Sequence, residues 1–379
     1  MSNTFDFQVL RRFPDLEADN LVAVDATDRL VLAEAGAAIE AADAGQVVVV
    51  GDRYGAMTLG AMALHDARDV RVHQDPITGE QALASNATRV GLTEGFRHLP
   101  VGSELFAGAT VVLGQLPKHL DALREVAQLA AAHGDAGVQV FLGGRVKHMT
   151  HSMNAVLSES FGEVRASLAA QKSRVLIAHG PLPGAERGGA TAYPMRQQQL
   201  DLDLWVCAHG AAFSGTRLDL GTGYLLGFLD RMHPTATSAV DLGCGTGVIA
   251  TALARARPNL DVLATDQSSA AVASTAATVA ANGLTERVRV LRDDAMSTLP
   301  GASVDLILCN PPFHLGTSVH AGAALKLFDA AGRVLRPGGE LWTVFNSHLG
   351  YDKQLSRSVG PTTVVGRNAK FTVTVSTHP

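Results

Sequence analysis

The sequence has few of the features that mark secreted, membrane-spanning or metal-binding proteins. Its 379 residues include three cysteines, Cys207, Cys244 and Cys309, which share no metal-ligand spacing and lie in or beside apolar runs. We therefore expect free thiols in a reducing cytoplasm and no metal. No uninterrupted apolar stretch approaches the length of a membrane span, and the first residues lack the apolar core of a signal peptide. These absences predict a cytoplasmic protein with no membrane partner.

An excess of positive charge is also lacking. The formal net charge is −5, whereas general nucleic-acid binders are usually strongly basic. This lowers the expectation of tight non-specific nucleic-acid binding but leaves room for a local basic surface. The hydrophobic content of 46% and the charged content of 18% are typical of a globular protein. The length predicts two or more domains.

Strand-like runs alternate with helical stretches in both halves, which predicts an α/β fold with parallel sheets. A Gly/Pro-rich stretch at 179–194 separates the halves. It predicts a degenerate domain over 1–180, a linker over 181–200 and a second domain over 201–379. The residues that follow the Gly/Pro-rich stretch alternate in polarity as a short hairpin does.

The two halves resemble each other, which predicts a duplicated domain. VVVGDRYG aligns with VDLGCGTG when Gly51 is placed on Gly243. In the same alignment RVHQDP lies on LATDQS, and VVLGQLPKHL lies on LILCNPPFHL. If the C-terminal copy is active, the N-terminal copy has lost its polar groups. The replacements are Val49 for Asp241, Arg53 for Gly245, Gln74 for Asp266 and Gln115 for Asn310.

The segment VDLGCGTGVIATALARARP predicts a strand, a glycine loop and a helix that ends before Pro258. The GxGxG spacing differs from the dinucleotide fingerprint, which would place a third glycine at Val248. With an acid before the loop, it fits S-adenosylmethionine better than NAD, because there is no pyrophosphate to cradle. Asp241 can face the cationic methionine end, Asp266 can accept from the ribose hydroxyls, and Asp294 can accept from the adenine amine.

The run VDLILCNPPF at 304–313 predicts a fourth strand that ends where the prolines begin. The side-chain oxygen of Asn310 and the carbonyl of Pro311 are two acceptors that can hold both N–H groups of an aromatic amine. This aims the nitrogen lone pair at a methyl donor without a strong base. Pro312 stiffens the backbone, and Phe313 offers a face for a planar group, worth about 1–3 kcal/mol for a nucleobase.

The motif alone does not choose among guanine N2, adenine N6, cytosine N4 and the side-chain amide of glutamine. A nucleobase would have to be single-stranded or flipped out to enter such a pocket. The alternative is a purely structural role, in which Asn310 and the prolines only terminate a strand. The glycine loop earlier in the sequence and the acids at Asp241, Asp266 and Asp294 weaken this alternative.

The whole chain resembles the bacterial rRNA guanine-N2 methyltransferases, which have two tandem methyltransferase-like domains with a degenerate N-terminal copy. The resemblance is carried by FSGTRLDLGTGYLL at 213–226, DLGCGTGVIA at 241–250, LCNPPFHLG at 308–316, NSHLGY at 346–351 and GRNAKFTV at 366–373. LRRFPD at 10–15 and LPKHLDALR at 116–124 resemble the branch that acts on large-subunit (23S) rRNA, with the small-subunit (16S) branch next.

The resemblance implies two Rossmann-like class I methyltransferase domains and methylation of guanine N2 in 23S rRNA. It places Asn310, Pro311, Pro312 and Phe313 at the target base. Motifs and resemblance together assign these residues to the cofactor: Phe213, Asp219, Asp241, Gly243, Cys244, Gly245, Gly247, Asp266, Gln267, Asp294, Ala295 and Asn310. The alternatives are the same reaction on 16S rRNA, glutamine-amide methylation of a protein, and a non-catalytic RNA-binding assembly factor.

The degenerate copy is expected to position RNA, because phosphate contacts orient a substrate without reading its sequence. Four basic residues follow or precede predicted strands in this half: Arg145, Lys147, Lys172 and Arg174. The alternative is ordinary solvated surface charge.

Overall fold

Fourteen of the sixteen described strands form two seven-stranded sheets with the same strand order. The structure is a computed structural model, and it describes residues 5–15, 17, 21–182, 192–312 and 318–379. The chain divides into two units, Met1–Tyr193 and Pro194–Pro379. Within the described residues, no helix is both long and apolar enough to cross a membrane.

The N-terminal sheet has the order β3-β2-β1-β4-β5-β7-β6, in which only β7 runs antiparallel to its neighbours. Its strands are β1 (Val47–Val50), β2 (Val70–His73), β3 (Phe96–His98), β4 (Val111–Gln115), β5 (Gln139–Arg145), β6 (Phe161–Ala166) and β7 (Ser173–Pro181). The helices are α1 (Ala26–Glu40), α2 (Ala56–His65), α3 (Ile77–Val90), α4 (Ser103–Phe106), α5 (Leu120–His133) and α6 (His151–Ser158).

The C-terminal unit opens with an antiparallel hairpin, as the alternating sequence predicted, formed by β8 (Met195–Gln199) and β9 (Leu204–Ala208). Its sheet has the order β12-β11-β10-β13-β14-β16-β15. The strands are β10 (Ser238–Leu242), β11 (Asp261–Asp266), β12 (Val288–Arg292), β13 (Val304–Cys309), β14 (Leu335–Asn346), β15 (Thr362–Arg367) and β16 (Phe371–Thr377). The helices are α7 (Leu220–Leu226), α8 (Val248–Ala256), α9 (Ser269–Ala281), α10 (Ser318–Val334) and α11 (Asp352–Ser358).

The central strands are apolar because the helices cover both faces of each sheet. All four valines of β1 are buried, and so are Leu306 through Cys309 of β13. Polar side chains are therefore concentrated at the strand ends, where loops begin. The four central parallel strands of the C-terminal sheet direct their carboxyl ends to one edge, and α/β folds bind ligands at that edge.

The tandem α/β architecture is confirmed, and the duplication extends to the backbone of the glycine loops. Three alternate positions in each loop have left-handed φ angles, and the three pairs coincide in the sequence alignment. The angles are 66° at Gly51, 58° at Arg53 and 94° at Gly55, against 78° at Gly243, 55° at Gly245 and 75° at Gly247. The N-terminal copy has thus kept the loop conformation while one glycine became arginine.

Candidate functional site

The glycine loop between β10 and α8 leaves room for a ligand at two of its glycines. A Cβ atom built on Gly243 or Gly245 would have no protein atom within 4 Å. A Cβ atom on Gly247 would lie 2.8 Å from Thr275 Cγ2, because α9 packs directly against the loop there. Packing against α9 therefore requires a glycine at 247. At Gly243 and Gly245 the space that a side chain would occupy is empty of protein atoms and can hold a ligand.

Asp266, at the end of β11, braces this loop from the side. Its Oδ2 atom accepts a hydrogen bond from the Gly245 amide at 3.1 Å, and its Oδ1 atom accepts from the Ser268 amide at 2.9 Å. Each carboxylate oxygen has further acceptor capacity. Asp266 can therefore accept from ribose hydroxyls while it holds the loop.

Asp241 lies inside β10 and is fully buried. Its Oδ2 atom accepts a hydrogen bond from the Ala250 amide in the first turn of α8, at 2.9 Å. Its Oδ1 atom has no hydrogen-bond partner in the described part of the chain. Burial, together with the nearby charge of Asp266, raises the pKa of Asp241 to about 7. A cationic ligand beside the free oxygen would favour the ionised form.

The two acids after β12 have different environments. Asp293 is turned inward, where its Oδ2 atom accepts from the Thr298 amide at 3.0 Å and its Oδ1 atom accepts from the Ser297 hydroxyl. Asp294, the residue predicted to meet the adenine, forms an ion pair with Lys326 of α10. The other loop residues assigned to the cofactor by sequence are Ala295, which has a φ of 52°, the exposed Gln267 and the buried Cys244.

Asn310 directly follows β13, and its side-chain amide is held from one side. The Nδ2 atom donates to Asp219 Oδ2 at 2.9 Å and to Thr222 Oγ1 at 2.9 Å. Both amide protons are then used, and Asn310 Oδ1 remains buried without a hydrogen-bond partner among the described residues. The arrangement therefore leaves one buried acceptor, Asn310 Oδ1, available for a donor that the described residues do not supply.

The neighbouring residues of the motif are only partly described. The Pro311 ring is buried and Pro312 is exposed. Phe313, predicted to stack on the target, lies outside the described residues. Phe213, predicted by resemblance to line the pocket, is 55% exposed.

Sequence reasoning missed Thr222, which shares the grip on Asn310 with Asp219. A local signal was present, since Asp219 is the N-cap of α7 and accepts from the Thr222 amide at 2.9 Å. Asp is a preferred N-cap residue, and its side chain accepts from the amide two or three residues into the helix. That pattern reveals the pairing of Asp219 with Thr222 but not their shared partner on a distant strand.

The N-terminal copy has kept more of these contacts than the sequence predicted. Gln74 Oε1 accepts from the Arg53 amide at 3.0 Å, as Asp266 accepts from Gly245. Gln115 Nε2 donates to Asp28 Oδ1 at 2.6 Å, as Asn310 donates to Asp219. The expectation that this copy has lost every polar group of the site is therefore wrong. It has lost carboxylates and the open loop, but the glutamines maintain the scaffold bonds.

The residues of the C-terminal site fit S-adenosylmethionine. The buried Oδ1 atom of Asp241 lacks a partner, the loop is open at Gly243 and Gly245, and Asp266 ends the next strand. Asn310, whose Oδ1 atom has no partner among the described residues, directly follows β13. This strand pairs with β10 on the side opposite β11. Within the described residues, no group of three or more His, Cys, Asp or Glu side chains could hold a metal ion.

Comparisons with known proteins agree with this arrangement. Residues 203–375 match the methyltransferase small domain family, and residues 1–181 match the RLMG N-terminal domain family. The chain is 36% identical to the ribosomal RNA large subunit methyltransferase G of Streptomyces avermitilis, covering 98% of this chain and 97% of that protein. It is 35% identical to the protein of the same name from Pseudomonas aeruginosa strain PAO1, covering 96% of each.

Among solved structures, the T. thermophilus 16S rRNA N2 G1207 methyltransferase (RsmC), in complex with AdoMet and guanosine, shares the fold. The TM-score is 0.69 at 20% identity, over 94% of this chain and 92% of that one. This likeness extends through both tandem domains. The likeness shows the fold, and the curated relatives and the two family models show that this chain is an S-adenosylmethionine-dependent rRNA methyltransferase and belongs to the ribosomal RNA large subunit methyltransferase G family.

Proposed function

We propose that this enzyme methylates the exocyclic N2 amine of a guanine in 23S rRNA. The observation that carries the proposal is the buried, unpartnered Oδ1 atom of Asn310 at the end of β13, in the strand next to the glycine loop. Such an acceptor suits the N–H of an exocyclic amine. The relatives named as large-subunit methyltransferases support 23S rRNA as the substrate.

The chemistry follows from the weakness of an aromatic amine as a nucleophile. When bound, S-adenosylmethionine would supply an electrophilic methyl group, whose bond to the sulfonium sulfur breaks as the bond to nitrogen forms and leaves the neutral thioether S-adenosylhomocysteine. Asn310 Oδ1 and the Pro311 carbonyl accept from the two N–H groups of the amine, which turns its lone pair toward that methyl group and stabilises the positive charge that develops on nitrogen. An amide side chain cannot remove a proton, so the methylated amine releases its proton to solvent.

Access to this site requires a base outside a duplex. The acceptor is buried at a sheet edge, and a paired guanine uses its N2 amine in the base pair. The target is therefore single-stranded or flipped out, and Phe313 would provide the stacking surface.

The N-terminal domain would orient the RNA through a group of basic residues that we call the basic edge. The β5–β7 pairing places Arg145 opposite Ser173 and Gly144 opposite Arg174, so both arginines lie at the carboxyl end of β5. Lys147 and Lys172 are exposed beside them, and the Val146 amide donates to the Lys172 carbonyl at 2.9 Å. Among the described residues, none of these side chains has a carboxylate partner.

The proposal is tested by methyl transfer from labelled S-adenosylmethionine to protein-free 23S and 16S rRNA from a strain that lacks the gene. Nucleoside analysis then identifies the product. Label in N2-methylguanosine from 23S rRNA is the expected result. The same nucleoside from 16S rRNA would overturn the choice of substrate, and a different methylated base would overturn the choice of amine.

A further inference from the structure

The side-chain amide of Asn310 has two faces, and only one of them can assist methylation of an amine. With its oxygen toward the target, it accepts an N–H. With its NH₂ group toward the target, it would present a donor to a donor and oppose binding. A 180° rotation about χ2 exchanges the two states at little intrinsic cost, because this torsion is broad and roughly two-fold. The site therefore needs a device that selects one state.

Asp219 and Thr222 have the geometry of that device, and with Asn310 we call them the amide clamp. A carboxylate oxygen only accepts hydrogen bonds, so the group 2.9 Å from Asp219 Oδ2 must be the NH₂ of Asn310. The Thr222 hydroxyl lies 2.9 Å from the same nitrogen. Both amide protons are engaged, and a flipped amide would place its oxygen against a carboxylate.

The clamp is itself fixed by the start of α7. Asp219 Oδ2, the atom that grips Asn310, also accepts from the Thr222 amide at 2.9 Å as the N-cap of the helix. The helix packs on β14 and β16. Gly221 leaves the space, since a Cβ there would lie 3.0 Å from Asp219 Oδ2 and 3.6 Å from Asn310 Oδ1. The orientation of the Asn310 amide is thus fixed by contacts with the first turn of a helix.

The N-terminal domain contains an independent version of the same pair. Gln115 stands where Asn310 stands, and it donates to Asp28 in the first turn of α1 at 2.6 Å. Asp28 also accepts from the Asp25 amide at 2.8 Å, which ties this carboxylate to its helix start. In both units an acid at the start of the helix that precedes the first central strand holds the amide that ends the fourth.

We propose that Asp219 and Thr222 are positioning residues that hold the Asn310 oxygen toward the target amine. The inference rests on the proposed function, because it requires that Asn310 accepts from the substrate. It adds that the rate of methyl transfer depends on two side chains that need not touch the target. Removing a group that orients a site residue typically costs about 10- to 100-fold in activity.

The test compares variants that separate the clamp from the helix cap. Thr222→Val removes the hydroxyl at constant shape, and Thr222→Ser restores it. Asp219→Ser keeps a capping oxygen but is too short to hold Asn310. We expect kcat about 10-fold lower for Thr222→Val and about 100-fold lower for Asp219→Ser. The kcat of Thr222→Ser should be within about 2-fold of the wild type, as should KM for rRNA in every variant and Kd for S-adenosylmethionine in the two Thr222 variants.

Gln115→Met is the matched control, since it removes the equivalent bond in the N-terminal domain and should leave kcat unchanged. Wild-type kcat in both Thr222→Val and Asp219→Ser would overturn the clamp. So would losses of kcat that parallel a fall in thermal midpoint and in cofactor affinity. Failure of the proposed function is separate, because it appears in the wild-type product itself.

A readout independent of activity completes the test. In the wild-type protein, the two side-chain N–H signals of Asn310 should exchange slowly with solvent, because both protons are bonded. They are assigned by their loss in Asn310→Asp. Thr222→Val should accelerate the exchange of these signals by at least about 10-fold, as expected when one of two bonds to a buried donor is removed. Unchanged exchange would contradict the clamp even if the rRNA substrate is not the one proposed.

Discussion

The carboxylates of Asp52 and Asp241 cap equivalent helices in the two copies. In the alignment of the copies, however, Asp52 lies three residues after the position of Asp241. Asp241 accepts from the Ala250 amide at 2.9 Å, and Asp52 accepts from the Thr58 amide, which aligns with Ala250, at 2.7 Å. Both acids are buried. Each unit thus keeps one buried carboxylate at the N-terminus of the helix after the loop, where the helix dipole favours a negative charge.

The two acids differ in what remains free. Asp52 uses its second oxygen to accept from the Met57 amide at 2.7 Å. The second oxygen of Asp241 has no partner in the described part of the chain. The helix cap is therefore common to both copies, and the free oxygen belongs only to the copy with the open glycine loop. This difference suits a ligand at Asp241 and none at Asp52.

A first prediction concerns the pH dependence of stability. Burial raises the pKa of Asp52 from its ordinary value of 3.8 to about 7, so the native state binds this proton more tightly than the unfolded state. The contribution of this carboxyl group to the free energy of unfolding should therefore fall as pH rises from 5 to 7, by on the order of 2 kcal/mol. Urea unfolding of Asp52→Asn should show a flatter dependence.

The matched control for that measurement is Asp43→Asn, because Asp43 is exposed. It should retain the wild-type slope between pH 5 and 7. Equal slopes in the wild type and in Asp52→Asn would mean that Asp52 does not bind a proton in this range.

A second prediction separates the two roles of the loop glycines. Gly245→Ala should fold, at a cost of about 1–2 kcal/mol for a left-handed alanine, because Arg53 adopts the same φ in the other copy. It should weaken S-adenosylmethionine binding by at least about 10-fold, since the new methyl group occupies the open side of the loop. Titration calorimetry measures the affinity.

Gly247→Ala provides the contrast. Its Cβ would lie 2.8 Å from the Thr275 side chain and 3.1 Å from the Thr275 Cα atom. The backbone of α9 would have to move, so this variant should lose more thermal stability than Gly245→Ala. A Gly245→Ala protein with wild-type cofactor affinity would show that the open side of the loop is not the ligand side.

The sequence predicts those parts of the site that depend on one strand and the loop after it. Asp266 ends β11, Asn310 directly follows β13, and Asp294 lies two residues after β12, as expected, because a polar residue after an apolar run marks where a buried strand stops. The duplication was visible for the same reason. Two halves with the same strand spacing gave sheets of the same order.

What could not be predicted depends on contacts between distant segments. The bond from Asn310 to Asp219 joins residues 91 positions apart, and no local pattern encodes such a pair. The residue types at 74 and 115 predict a loss of function, yet a glutamine oxygen can accept and its NH₂ can donate where Asp or Asn does. A comparison of residue types in the alignment therefore underestimates how many hydrogen bonds of the site the N-terminal copy retains.

A third prediction concerns the adenine end of the cofactor site. Asp294→Asn should weaken S-adenosylmethionine binding by about 10-fold, as expected for the loss of a hydrogen bond from the adenine amine to a charged acceptor. Lys326→Met removes the partner of this acid, half-exposed on α10. It should change the affinity by less than about 3-fold, because an ion pair whose lysine is half-exposed contributes little. A larger effect of Lys326→Met than of Asp294→Asn would assign cofactor binding to the lysine.

The last prediction concerns the basic edge and its response to salt. Binding of protein-free 23S rRNA should weaken as salt rises, since each phosphate contact releases counterions. Replacing Arg145, Lys147, Lys172 and Arg174 together by glutamine should lower the affinity at low salt. It should also reduce the slope of log K against log[salt] by about 3, if each side chain contributes about 0.7 on single-stranded RNA.

Two arginines of the same domain already have partners. Arg124 forms ion pairs with Asp121 and Glu159, whereas Arg71 donates to the Glu104 and Ala107 carbonyls. Arg124 is the matched control for the basic edge, because its partners are carboxylates. Replacing Arg124 by glutamine should leave the salt slope unchanged, because its charge is already compensated. If the quadruple variant keeps the wild-type slope, the four residues are ordinary solvated charges and RNA is oriented elsewhere. If cofactor affinity is unchanged while the slope falls, the N-terminal sheet edge contributes phosphate contacts and the C-terminal site supplies the chemistry.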